Sequence, residues 1–154
     1  MEVREIQNGL RRSREQFIVR QQWATRPKDL RRALLDYRPT YVHFCGHGAG
    51  EEGLILEEHF ASAEALAGLF KLFADTIHCV VLNACYSTIQ AMAIAEHIDY
   101  VVGMNRDIGD SAAIVFAAAF YDALGAGESV EFAFELGRNA IQMVGLPEHL
   151  TPEL

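Results

Sequence analysis

Apolar residues along the chain follow two periods, one helical and one of short unbroken runs. Val3, Ile6 and Leu10 recur at helical spacing with Glu2, Arg4, Glu5, Arg11 and Arg12 on the other faces, so the chain opens on an amphipathic helix. Phe17, Ile18 and Val19 predict a short strand running on towards Trp23. Thr25-Arg26-Pro27 then starts a helix with Leu30, Ala33, Leu34 and Tyr37 inward and Pro39 past its end. Tyr41-Val42-His43-Phe44-Cys45 predicts a strand that leaves through Gly46-His47-Gly48-Ala49-Gly50. Residues 53–56 suit a small extra strand or hairpin, and Ser62 suits the N-cap of a helix over 63–73 with Leu66, Leu69, Phe70 and Phe73 inward.

The second half repeats the alternation. Residues 77–82 predict a second central strand, ending at Asn83-Ala84-Cys85. A helix follows from Ser87 or Thr88, carrying Ile89, Met92 and Ala93 or Ile94 towards the sheet. Residues 100–104 predict a third buried strand, then a polar turn over 105–109. Asp110 or Ser111 caps an Ala-rich helix that ends at Gly125, and Ser129 opens a last helix to Met143, ending at Gly145 before Pro147. There is no internal repeat, low-complexity tract or flexible linker. Helices alternating with continuous apolar strands predict a single domain over 1–154, a three-layer α/β fold with a mostly parallel central sheet.

Composition narrows the function classes. A chain of 154 residues can bury its own core, and a net charge of −8 argues against neutralising nucleic-acid phosphates. The basic residues Arg11, Arg12, Arg14, Arg20, Arg26, Lys28, Arg31 and Arg32 cluster early and suit a solvated helix face. Cys45 and Cys79 lie in strand-like runs and a third cysteine, Cys85, is left over, so a secreted disulfide framework is not expected and a reducing cytoplasm is. No cationic leader precedes an apolar segment. The most apolar run, 112–121, is bounded by Asp110 and Asp122 and is too short to span a bilayer, so no membrane partner is expected.

Candidate chemistry sits where two strands end. If those strands are parallel neighbours, His47 and Cys85 emerge at one sheet edge, beyond the carboxyl ends where ligands bind in such folds. A cysteine attacks a carbonyl as its thiolate, and an adjacent imidazole can hold that thiolate and then protonate a leaving amine. The glycines flanking His47 let the backbone approach a bound peptide, and the N–H groups of Gly48 and Cys85 are candidates to hold the oxyanion. Other readings of these residues stay open. Cys85 can be a small buried hydrophobe. Cys45 is expected to point into the core. Zinc on Cys45, His47 and Cys85 lacks CxxC support. The glycine-rich loop lacks the lysine and spacing of a nucleotide-binding loop. No cofactor and no metal are expected.

The residues Val42-His43-Phe44-Cys45-Gly46-His47-Gly48 and Val80-Val81-Leu82-Asn83-Ala84-Cys85-Tyr86-Ser87 resemble the CHAT family of caspase-like cysteine proteases, relatives of caspases, metacaspases and separases. Val102-Gly103-Met104 and residues 117–125 extend the resemblance over nearly the whole chain. It implies a caspase-like fold, His47 as base, Cys85 as nucleophile, and Gly48 with Cys85 as oxyanion hole. It also implies that Asn83 lines the substrate pocket; Asp107, in the loop after the third strand, is a candidate for an acidic wall there, with a turn or helix-capping role as its alternative. Metacaspases typically place an acidic residue where Asn83 stands, so a basic preference is not carried over; nor is aspartate specificity, since the caspase Gln-Ala-Cys signature is absent. Such domains act on a protein or peptide substrate, often beside a regulatory domain or activating partner, and an oligomer stays open.

One departure concerns the start of the chain. Family members usually carry a buried strand before the opening helix, whereas Met1 leads straight into Glu2-Val3-Arg4-Glu5-Ile6. Either residues 17–19 pair directly with the His47 strand, or another segment supplies the missing strand, or the chain is a piece of a longer protein. A catalytically silent interaction module with the same fold is the alternative function.

Overall fold

A computed structural model describes residues 1–11, 17–23 and 25–154. In chain order its elements are α1 (Glu2–Arg11), α2 (Pro27–Tyr37), β1 (Tyr41–Cys45), β2 (Leu54–Leu56), β3 (His59–Ala61), α3 (Ala63–Lys71), β4 (Cys79–Asn83), α4 (Thr88–Ala95), β5 (Tyr100–Met104), α5 (Asp110–Gly125), α6 (Val130–Met143) and β6 (Pro152–Glu153). The class is mixed α/β with a mostly parallel sheet, as the alternation of periods predicts. The chain forms two compact units, one of residues 20–107 with Glu153 and one of residues 1–19, 108–152 and 154.

The first unit carries the sheet. β1 pairs with β4 and β4 with β5, both parallel, and Glu153 of β6 lies beyond β5 in the strand order. Val42, Phe44, Val80, Leu82 and Val101 share one face by strand alternation. They pack there against Leu34, Leu66, Phe70, Phe73, Ala91 and Ile94. β2 and β3 form the expected hairpin. Ser62 caps α3 by accepting from the Ala65 N–H at 3.2 Å. α2 starts on Pro27, with Arg26 and Asp29 joined at 2.7 Å, and stops at Arg38 in the left-handed conformation before Pro39. Leu34 is its buried residue, while Tyr37 is exposed.

α4 differs from expectation in its inward face. Gln90, Ala91 and Ile94 are buried, whereas Ile89 and Met92 are exposed. A helix that is apolar nearly all round gives periodicity no preferred side, so packing on α3 and β5 chose it. Residues 17–19 are irregular, not a strand, and Ile18 is exposed. Strand propensity is a preference for a half-buried pleated surface, which that side chain does not occupy. Among the described residues no strand precedes β1. Arg12 and Arg14 of the basic cluster lie outside the described residues.

The second unit is helical. α5 packs on α1 and α6, with Ile6, Leu10, Phe116, Phe120, Ala133, Phe134 and Ile141 buried. Phe116 stacks on Phe120 and meets Phe134 edge-on. Ser129 caps α6 as predicted, accepting from the Phe132 N–H. The α5 cap is Gly109, not Asp110 or Ser111: Gly109 has the extended backbone, and Asp110 is already helical, where its charge still suits the helix start.

Candidate active site

The β1–β4 register sets Cys45 opposite Asn83. His47 and Cys85 each lie two residues past that pair, so both leave the sheet at the same carboxyl edge. The ladder runs one bond further, from the Gly46 N–H to the Asn83 carbonyl at 3.4 Å. Beyond it the two chains stay together. A Cβ built on Gly48 would overlap the Cys85 carbonyl oxygen and lie 3.1 Å from its carbon, so backbone meets backbone there and only glycine fits.

The hairpin holds the histidine loop from its other side. The Ile55 N–H donates to the His47 carbonyl at 3.0 Å, and the Ala49 N–H to the Gly53 carbonyl at 2.8 Å. Gly48 is the bridge residue between these bonds, opposite Leu54. It occupies the non-hydrogen-bonded position of an antiparallel pair. Its own N–H takes no backbone partner among the described residues.

The turn after Cys85 is tightly specified. Tyr86 adopts φ +53°, a left-handed conformation uncommon outside glycine, and its N–H donates to the Arg106 carbonyl at 3.3 Å. Ser87 is fully buried. Its hydroxyl donates to the Leu82 carbonyl at 2.9 Å and accepts from the Met104 N–H at 2.9 Å, tying the ends of β4 and β5 to the start of α4. Ser87 stands at the N-cap position of α4, but its side chain makes no cap bond.

Cys85 is half-buried and His47 exposed. Asn83 is buried at the end of β4, 4% exposed. Asp107 is exposed and accepts from the Tyr86 hydroxyl at 3.5 Å, which brings it beside the residue that follows Cys85. Glu153, which gives no signal in the sequence, accepts from Asn105 Nδ2 at 2.9 Å and from Thr88 Oγ1 at 3.5 Å. Gln90 gives little more than an amide in an apolar helix, yet its Nε2 donates to the Gly50 carbonyl of the histidine loop at 2.7 Å.

The three cysteines separate by environment. Cys79 is fully buried, and burial pushes its thiol up to about 12. Cys45 is exposed, contrary to the core position expected of it. Val42 and Phe44 take the core side of β1, so alternation turns Cys45 to the opposite face. Among the described residues Cys45, His47 and Cys85 do not converge to the spacing of a shared metal ion.

Comparison with known proteins identifies the family of the chain. The CHAT domain family model matches residues 1–144. A protein named Roc-COR-CHAT protease, from an unknown prokaryotic organism, is 28% identical over 130 residues, which cover 77% of this chain and 12% of that protein. The chain therefore spans only a small part of this relative's length. With the family match reaching from α1 through the whole of α6, this chain belongs to the CHAT domain family.

Proposed function

We propose that this chain is a cysteine endopeptidase domain acting on a protein or peptide substrate, with Cys85 as nucleophile and His47 as base. The observation that supports it best is the backbone contact of Gly48 with Cys85 at the flush ends of β1 and β4. The Cys85 thiolate adds to the scissile carbonyl carbon, and the C=O π pair moves to oxygen as the oxyanion. Gly48, whose N–H the hairpin does not use, and the Cys85 N–H are the groups assigned to that oxyanion. Collapse expels the amine, which takes a proton from the His47 imidazolium and leaves a thioester on Cys85. Water, deprotonated by His47, then hydrolyses the thioester and releases the acid and the free thiol.

Asn83 and Asp107 are assigned to the wall of the substrate pocket, Asn83 at the strand end and Asp107 beside Tyr86. The name of the longer relative supports a protease function, as does membership of the family. The catalysis is assigned to the cytoplasm, in a regulatory or defence setting beside further domains. The test is cleavage of a peptide library by wild type, Cys85→Ala and His47→Ala. Both variants are expected to lose cleavage while keeping the wild-type circular dichroism; full cleavage by Cys85→Ala refutes the assignment.

A second reading is a silent interaction module, favoured by the lack of any strand before β1 among the described residues. An electrophilic peptide probe separates the two. Covalent capture at Cys85 supports the peptidase, and no capture, even with partner domains present, supports the module.

A further inference from the structure

The residue least explained by stability is Gln90. It is fully buried in α4, where every other buried residue is apolar. Its Nε2 donates to the Gly50 carbonyl at 2.7 Å, across 40 positions of sequence. Its Oε1 is buried and takes no hydrogen bond among the described residues. A carbonyl partner fixes which end of the amide faces the loop, because only the NH₂ end donates. The Gly50 carbonyl also accepts from the Gly53 N–H, so Gln90 is not needed to satisfy it. A buried amide with one orphaned oxygen costs folding free energy that an apolar side chain of equal size would avoid. Its use lies in what it holds.

Opposite the hairpin, the segment around Cys85 holds the loop that carries His47 at three places. The Gly46 N–H bonds to the Asn83 carbonyl, Gly48 lies on the Cys85 carbonyl, and the Gly50 carbonyl is held by Gln90. Asn83 precedes Cys85 by two residues and Gln90 follows it by five, so all three anchors come from the stretch that carries Cys85. We infer that Gln90 is a positioning residue that locks the loop of residues 46–50 over Cys85 and so sets the approach of His47. This rests on the catalytic reading of His47 and Cys85, but the clamp itself has a readout that needs no catalysis.

Gln90→Met keeps size and helix preference, removes the donor, and also removes the orphaned oxygen. The expected result is an unchanged or slightly raised melting temperature. Amide hydrogen exchange at Ala49 and Ile55 should run about tenfold faster than in wild type, with the β4 amides unaffected. Peptide cleavage should lose roughly 10- to 100-fold in kcat with little change in KM, as expected for a misplaced base. Gln90→Glu supplies the rescue. A protonated carboxyl donates to the Gly50 carbonyl and a carboxylate cannot, so loop exchange should match wild type at low pH and exceed it as pH rises. Wild-type exchange at Ala49 and Ile55 in Gln90→Met overturns the clamp, whatever the catalytic result. Unchanged kcat, in a protein whose wild type cleaves through Cys85, overturns the positioning role. If wild type cleaves nothing, the catalytic reading fails separately, and the exchange data still decide the clamp.

Discussion

Gly48 and Cys85 meet backbone to backbone, without side chains between them, although 37 positions apart in sequence. The contact closes the carboxyl edge of the β1–β4 pair and makes the histidine loop a neighbour of the cysteine turn. A backbone carbonyl cannot swing aside as a side-chain tip can, so the contact tolerates no added atom.

Gly48→Ala should therefore push the histidine loop off Cys85. Overpacking of this kind costs about 1–3 kcal/mol, and a displacement of an ångström in a reacting group about 100-fold in rate. The expected outcome is a folded protein with a lowered melting temperature and cleavage reduced by roughly two orders of magnitude. Wild-type kinetics for this variant would mean that the loop does not need that contact.

Ser87→Ala should be costly in a different way. It leaves the Leu82 carbonyl and the Met104 N–H without the hydroxyl that serves both, in a region sealed from water. Each stranded group costs roughly 1–3 kcal/mol. Urea denaturation should show a lower midpoint with an unchanged m value, and Ser87→Thr should not restore it if the extra methyl finds no room.

The cysteines should alkylate in a set order at neutral pH. Cys79 should stay unmodified in the native protein, being both sealed and held protonated by burial. Cys85 should react faster than the more exposed Cys45, and His47→Ala should remove that advantage. Mass spectrometry of tryptic peptides after iodoacetamide pulses reads the order directly.

Cys79 also gives the fold an alkaline weakness. Its thiol is raised from 9.0 to about 12 by burial, so above pH 9 the unfolded chain releases a proton that the native protein keeps. The unfolded state then binds fewer protons, and stability falls as pH rises towards 12, by about 1.4 kcal/mol per pH unit from this group. Below pH 9 the contribution is fully present. Cys79→Val should flatten the decline between pH 9 and 10.5 relative to wild type; parallel curves would exclude the thiol as its source.

Two helix glycines should respond with opposite signs to alanine. Gly137 in α6 faces Phe116, and its Cβ would stand 2.7 Å from the ring, so Gly137→Ala should destabilise by about 1–3 kcal/mol. Gly68 in α3 is exposed with nothing within 4 Å, so Gly68→Ala should stabilise by about 0.5–1 kcal/mol. Thermal melts of the two variants decide both.

The amino-acid pattern by itself determined the α/β class, strands β1 and β5 to the residue, the Ser62 and Ser129 caps, and the position of the glycine-flanked His47 and of Cys85 just past two strand ends. These depend on local period and on residue types with few alternative uses, so a short window carries them. Tertiary structure alone decided the rest. Which face of α4 goes inward cannot be seen in a helix apolar nearly all round, and that choice buried Gln90 and exposed Met92. Ser87 reads only as a place where a helix starts, because its window does not contain Met104, with which it bonds. The irregular path of residues 17–19, the exposure of Cys45 and the clamp of Gln90 on Gly50 each depend on which distant segment arrives alongside. Such contacts form only when the chain has closed long loops, and no local stretch of sequence records the partner.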